Sequence, residues 1–179
     1  MRPPLVLPVC ALLALVACAS PSFVAELQGE TTVPAAPMGG TDTPLDAFPA
    51  IGSFTNLDFD QNQDFQNQDI TKMEVTSARL VSFQLKVLAP ADQDFSFLDT
   101  LECYARSGDR EVRVALKQNI SALNLKAPNP VLFLDLADTE LQRFLASPSM
   151  SLLVRGKGRM PPREVRLQAD VKLQVTVER

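Results

Sequence analysis

The chain reads as an all-β protein, an antiparallel β-sandwich carrying one short helix. Three stretches predict this. The last one alternates without a fault: Val165, Leu167, Ala169, Val171, Leu173, Val175 and Val177 on one side, Glu164, Arg166, Gln168, Asp170, Lys172, Gln174, Thr176 and Glu178 on the other. A period of two belongs to a half-buried strand, and on a helix it would scatter the apolar residues around the whole cylinder. Val81, Phe83, Leu85 and Val87 repeat the pattern against Ser82, Gln84 and Lys86. Leu101, Cys103 and Ala105 do so against Glu102, Tyr104 and Arg106. Ser107-Gly108-Asp109-Arg110 then reads as a turn, and Val112, Val114 and Leu116 alternate after it, which makes a hairpin.

The remaining elements follow in chain order. Phe23 to Gln28 is a first strand, stopped by Gly29. Residues 32–49 are rich in Pro, Gly, Ala and Thr around Gly39-Gly40 and read as a loop. Residues 50–69 are polar and rich in Asn and Gln. Pro90 ends the strand over 81–87. Residues 131–136 form a short apolar run between Pro130 and Asp138, a more buried strand. The helix comes next, with Asp138 as N-cap, Glu140 in its first turn, Leu141 and Leu145 four apart, and Pro148 as its stop. Met150, Leu152 and Val154 mark a further strand, and Pro161-Pro162 turns the chain into the last one.

Six or seven strands, each with one apolar face, bury those faces most economically against each other in two sheets. The general architecture expected is immunoglobulin-like. The alternative is a small lipocalin-like barrel, which requires eight strands and an inward cavity.

The N-terminal stretch is of a different kind. Pro3 to Val16 carries no charge and follows a single Arg2. It is too short to span a bilayer, which takes ~20 apolar residues, and it fits the apolar core of a secretory signal. It closes on Leu15-Val16-Ala17-Cys18, which resembles the lipobox of bacterial lipoproteins. The resemblance implies cleavage before Cys18, acylation of Cys18 and a permanent membrane anchor. Ala19, rather than Asp, follows the cysteine, which in that family implies the outer membrane. It leaves open whether the domain lies on the periplasmic or the surface face. On this reading residues 1–17 are the signal peptide and residues 18–22 the lipidated tether. Residues 23–69 are the N-terminal strand and acidic polar loop region. Residues 70–179 are the core sandwich, one domain with 23–69.

Composition removes several chemistries. The chain has no histidine and no tryptophan, and one tyrosine. Ser-His and Cys-His nucleophile pairs and His-ligated metals are therefore absent. After loss of Cys10 with the signal and use of Cys18 for lipid, Cys103 is the only thiol. It stands on the apolar side of its strand and is expected buried and inert. The chain contains no Walker loop, no G-x-S-x-G and no G-x-G-x-x-G opening a helix. Aromatic poverty argues against a nucleic-acid platform. A carboxylate-only enzyme is the least favoured reading.

Charge is uneven. Eight acids and no Lys or Arg lie between Ala19 and Thr71, whereas 16 basic and 13 acidic residues follow from Lys72 onward. Residues 58–69 resemble an EF-hand-type calcium loop, with Asp58, Asp60, Asn62, Asp64 and Asp69 as candidate ligands and Gln66 reaching through water. Two positions depart from that pattern. Gln63 stands where the sharp turn requires Gly, and Asp69 where a bidentate Glu closes the cage. The near-repeat around Phe59 and Phe65 favours a polar loop docked by two aromatic rings, with no cofactor. Arg155, Lys157, Arg159, Arg163 and Arg166 form a basic cluster, expected as a solvated hairpin tip. It is also a candidate patch for an anion, an acidic partner or the chain's own acidic segment.

The function these readings imply is a lipid-anchored, non-catalytic binding or assembly module of the bacterial envelope. Its expected partners are the membrane, through Cys18, and an envelope protein, with no nucleic acid. A small-ligand carrier with a lipocalin-like barrel is the alternative.

Overall fold

The computed structural model describes residues 20–37 and 43–178. Cys18 and the predicted signal segment lie outside the described residues, as do Gly39-Gly40. In chain order the strands are β1 (Ser22–Val33), β2 (Pro44–Leu45), β3 (Val75–Ala89), β4 (Leu98–Ser107), β5 (Arg110–Gln118), β6 (Val131–Phe133), β7 (Asp135–Leu136), β8 (Ser151–Arg159) and β9 (Val165–Val177). Two short helices, α1 (Gln63–Asn67) and α2 (Gln142–Leu145), interrupt them.

All pairings are antiparallel. They build two sheets, ordered β1-β9-β3-β6 and β2-β8-β4-β5-β7. This is the expected sandwich; the strands do not close into a barrel. β9 sits centrally in the first sheet because its alternation is unbroken. Every apolar residue from Val165 to Val177 is buried, and the strand pairs with β1 on one side and β3 on the other. Opposite lie Leu98, Leu101, Cys103 and Ala105 of β4 and Met150, Leu152 and Val154 beside them. Gly108 (φ 56°) opens the two-residue loop between β4 and β5, as a II′ hairpin turn requires.

Several local expectations are corrected. Gly29 does not stop β1, which continues to Val33. A Cβ there would lie 2.4 Å from Ile51 Cγ2 and 2.2 Å from Ser53 Oγ, so the glycine marks a close approach within a strand. Val81 is 47% exposed and Leu80 is buried instead. The register of β3 against β9 shifts between Leu80 and Ser82, and the bulge turns Val81 outward. A second bulge, opposite Cys103 and Tyr104, buries Val114 and Ala115 together and leaves Val112 and Leu116 half-buried.

The run over 131–136 is two edge strands. β6 pairs with β3 in the first sheet and β7 with β5 in the second, so the chain crosses the sandwich between them. Leu132 and Leu134 point into the core, while Phe133 is 60% exposed. Asp138 does not cap α2; it pairs with Arg79. The helix starts after Leu141, and Glu140 does the anchoring. Its carboxylate accepts from Ala78 N–H (2.7 Å), Ser77 Oγ–H (2.7 Å) and Gln142 N–H (3.0 Å). Burial opposes the charge on Glu140, but these bonds and Arg79 outweigh it and hold the carboxyl below its usual range. Two short helices are present rather than one, and the additional one, α1, is inside the acidic loop.

Among the described residues no helix is long and apolar enough to cross a membrane.

Candidate functional site, a groove along the edge of β8

The acidic loop spends its oxygens on its own fold. Asn62 Oδ1 caps α1, accepting from Asp64 N–H (2.9 Å) and Phe65 N–H (3.4 Å). Asp69, at φ 55°, follows the helix in the left-handed conformation. Its N–H donates to Gln66 O (3.1 Å) and Ile70 N–H donates to Phe65 O (3.1 Å), the paired bonds of a Schellman ending. Asp64 Oδ2 accepts from Glu26 N–H of β1 at 2.7 Å. Asp58 and Asp60 both turn to Lys72 Nζ, at 2.7 and 3.3 Å. The Lys72 hydrogen bond holds the Asp58 carboxyl below its usual range, and the same bond raises Lys72.

Phe65 and Phe59, both fully buried, seat the loop. Phe65 meets Phe23 of β1 edge-on, with centroids 5.2 Å apart, and Phe59 at 5.4 Å. Asp58 and Asp60 thus share Lys72, Asn62 caps α1 and Asp64 holds β1, and among the described residues no group of three or more acidic or thiol side chains is placed to share a metal ion.

This geometry carries a thermal prediction. The domain is expected to melt at the same temperature in EDTA and in millimolar calcium. An ion preferring the native state would add about 2.7 kcal/mol at a hundredfold excess over Kd. A rise of several degrees that disappears in Asp58→Ala with Asp60→Ala would contradict this account.

The basic cluster is not a hairpin tip. Arg155, Lys157 and Arg159 stand at alternate, outward positions of β8, with Gly156 and Gly158 facing the other way. Arg163 lies beyond Pro161-Pro162 and pairs with Asp92 at 2.8 Å. Arg166 is on β9, in the other sheet, 3.9 Å from Glu30. The five residues are therefore divided among β8, the loop that follows it and β9, which lies in the other sheet. Return contacts to the acidic N-terminal region do form, in Arg166–Glu30, Lys172–Glu26 (2.6 Å) and the Lys72 pairs. Charge asymmetry along the sequence is in part neutralised across β1, β9 and the loop.

What the fold does assemble around β8 is a groove. Arg155 lies 4.4 Å over the Tyr104 ring and 2.9 Å from Glu111. Arg113 pairs with Glu102 at 3.2 Å. Between these residues and the segment leaving β2 runs a depression of about 320 Å³, lined by Asp46, Phe48, Glu102, Val154, Arg155 and Lys157 among others. A second depression of about 210 Å³ continues it past Phe48, Ile51, Thr55 and Leu152.

Sequence reasoning missed Phe48, which sits in the loop-like stretch before Pro49. The signal was the glycine pair. A Cβ on Gly156 would come within 2.8 Å of Phe48 Cδ2, and one on Gly158 within 2.1 Å of the Phe97 carbonyl oxygen. Glycines at alternate positions in a strand point to such close approaches.

Cys103 is buried between Ala115 and Val154 on the neighbouring strands. Burial pushes its thiol far up, which keeps it protonated and a poor nucleophile.

No family model and no curated protein matches the chain. Solved structures similar to it include the decameric BFDV capsid protein, at 9% identity over 90% of this chain and 100% of that chain, with a TM-score of 0.45. The 60-mer BFDV capsid protein is similar at 6% identity over 89% and 94%, with a TM-score of 0.44. At these TM-scores the likeness carries no argument about what this chain binds or assembles.

Proposed function

We propose that the protein is a lipid-anchored, non-catalytic binding module of the bacterial outer membrane, held by Cys18 and offering the β8 groove to an envelope protein. The observation that carries the reading is where the two features fall in the fold. Only residues 18–21 separate the predicted lipid from Ser22, which already pairs with Thr176 in β1–β9. Four residues reach at most about 14 Å. The anchor therefore keeps the Ser22 end of the sandwich close to the bilayer.

The groove runs towards the other end. Leu141 N–H donates to Ala78 O near the Ser22 end, and β8 begins shortly after α2 and runs away from it. By Pro161 it has reached Ala36, just beyond the far end of β1. The twelve residues of β1 cover about 40 Å of strand. Lys157 and Arg159 are then presented away from the membrane, where a partner has access.

The test is fractionation of the full chain and of Cys18→Ser by carbonate washing and detergent phase partition. Wild type is expected wholly in the membrane and detergent fractions and Cys18→Ser in the aqueous one. Equal membrane retention of the two would refute the anchor.

A further inference from the structure

We infer that the groove takes an extended peptide of a partner protein, added as a strand to the open edge of β8 with acidic side chains on its outer face. This rests on the reading of the groove as the partner site and names the kind of partner that fits it.

The edge of β8 away from β4 is paired at both ends and open in between. At one end Leu45 and Pro44 pair with Gly158 and Arg159, and Met160 N–H donates to Thr43 O (2.8 Å). At the other, Leu57 and Met150 exchange both main-chain bonds, at 2.6 and 2.9 Å. Antiparallel pairing alternates, so residues at even spacing from Met150 turn their N–H and C=O to the same side. These are Leu152, Val154 and Gly156, and among the described residues no strand pairs with them on that side. All three are buried. Their main-chain N–H and C=O groups form an open strand edge on the depressions, and a strand laid along it pairs with them in three reciprocal pairs.

The covering segment runs past this gap without pairing to it. Phe48 packs over Gly156 and lines both depressions. The occupant's side chains follow from cross-strand neighbours. Inward positions opposite Leu152, Val154 and Gly156 meet Phe48 and Ile51, so they are apolar. Outward positions stand opposite Leu153, Arg155 and Lys157. Arg155 is engaged by Glu111 and Tyr104. Lys157 is exposed and makes no ion pair among the described residues. A carboxylate directly opposite Lys157 is the favourable pairing, which selects an apolar-inward, acidic-outward strand.

The probe is a displayed hexapeptide library with Val, Ile or Leu at alternate positions and any residue between, selected on the full chain in detergent micelles. Enrichment of Asp or Glu at the position facing Lys157 is expected, and Lys157→Glu should weaken the selected peptide at least tenfold. Amide exchange followed by NMR should show Leu152, Val154 and Gly156 exchanging freely alone and protected on binding. The same peptide N-methylated on its edge-facing residues should not bind. Selected peptides that protect other amides, or tolerate N-methylation, would overturn strand addition while leaving a groove that binds. A library with no enrichment over the Lys157→Glu protein would overturn it outright. Membrane release of Cys18→Ser is independent of all these results, so failure of the anchor and failure of the strand are distinguishable.

Discussion

Val171→Asp is expected to unfold the domain or leave it marginal. Val171 is 1% exposed and faces Leu27 on β1 and Phe83 on β3 in the central strand of the first sheet. Its neighbours along the inward face are Ala169 and Leu173, both fully buried. Among the described residues no cation reaches that side: Lys172 and Lys86 stand on the outer face, with the glutamines around Asp170. A carboxylate placed there either remains charged without a partner or takes up a proton, and both states bury polar atoms unmatched. The cost is several kcal/mol, against a total stability of about 5–15 kcal/mol for a domain of this kind. Lys172→Gln is the control one residue away. It removes the exposed pair with Glu26, which contributes about 0–1 kcal/mol. Urea midpoints of the two variants should differ widely; similar midpoints would mean that β9 does not lie in this register.

Phe65→Ala is expected to cost about 3–5 kcal/mol, the usual range for deleting a buried aromatic ring. The ring holds both Phe23 and Phe59, so its loss also weakens the seat of the whole acidic loop on β1. Amides from Asp64 to Ile70 should exchange faster in the variant than the rest of the chain. A loss under about 1 kcal/mol with the loop still protected would show that the hydrogen bonds of Asp64 and Asn62 hold the loop without the rings.

The sandwich was legible wherever one face of a strand alternates cleanly, because burial of a single face imposes period two on the residues themselves. β9 and the β4–β5 hairpin are such cases. Bulges broke the legibility of β3 and β5: one extra residue inverts the facing, and nothing in Leu80-Val81-Ser82 announces where it falls. Gly29 misled because a glycine in a strand resembles a stop until the Ile51 and Ser53 side chains that fill its place are seen. Residues 131–136 looked like one strand because apolar content does not record a change of sheet.

In the acidic loop the residue types were read correctly as oxygen ligands, but the groups those oxygens accept from are the chain's own N–H groups and Lys72, and of these Glu26 N–H and Lys72 come from outside the loop. The groove was hardest. Its walls are Phe48, the edge of β8 and charged residues of β4, which come together only after β2 pairs with β8. Only the spaced glycines at 156 and 158 foretold it.

The central claim is that the sandwich is held to the membrane through Cys18, and its most direct test is the mass of the N-terminal peptide from membrane-extracted protein. The account predicts a mature chain that begins at Cys18 and carries three acyl chains on that residue. A chain beginning at Ser20, after Ala19, with no lipid would contradict it and leave the groove on a soluble domain.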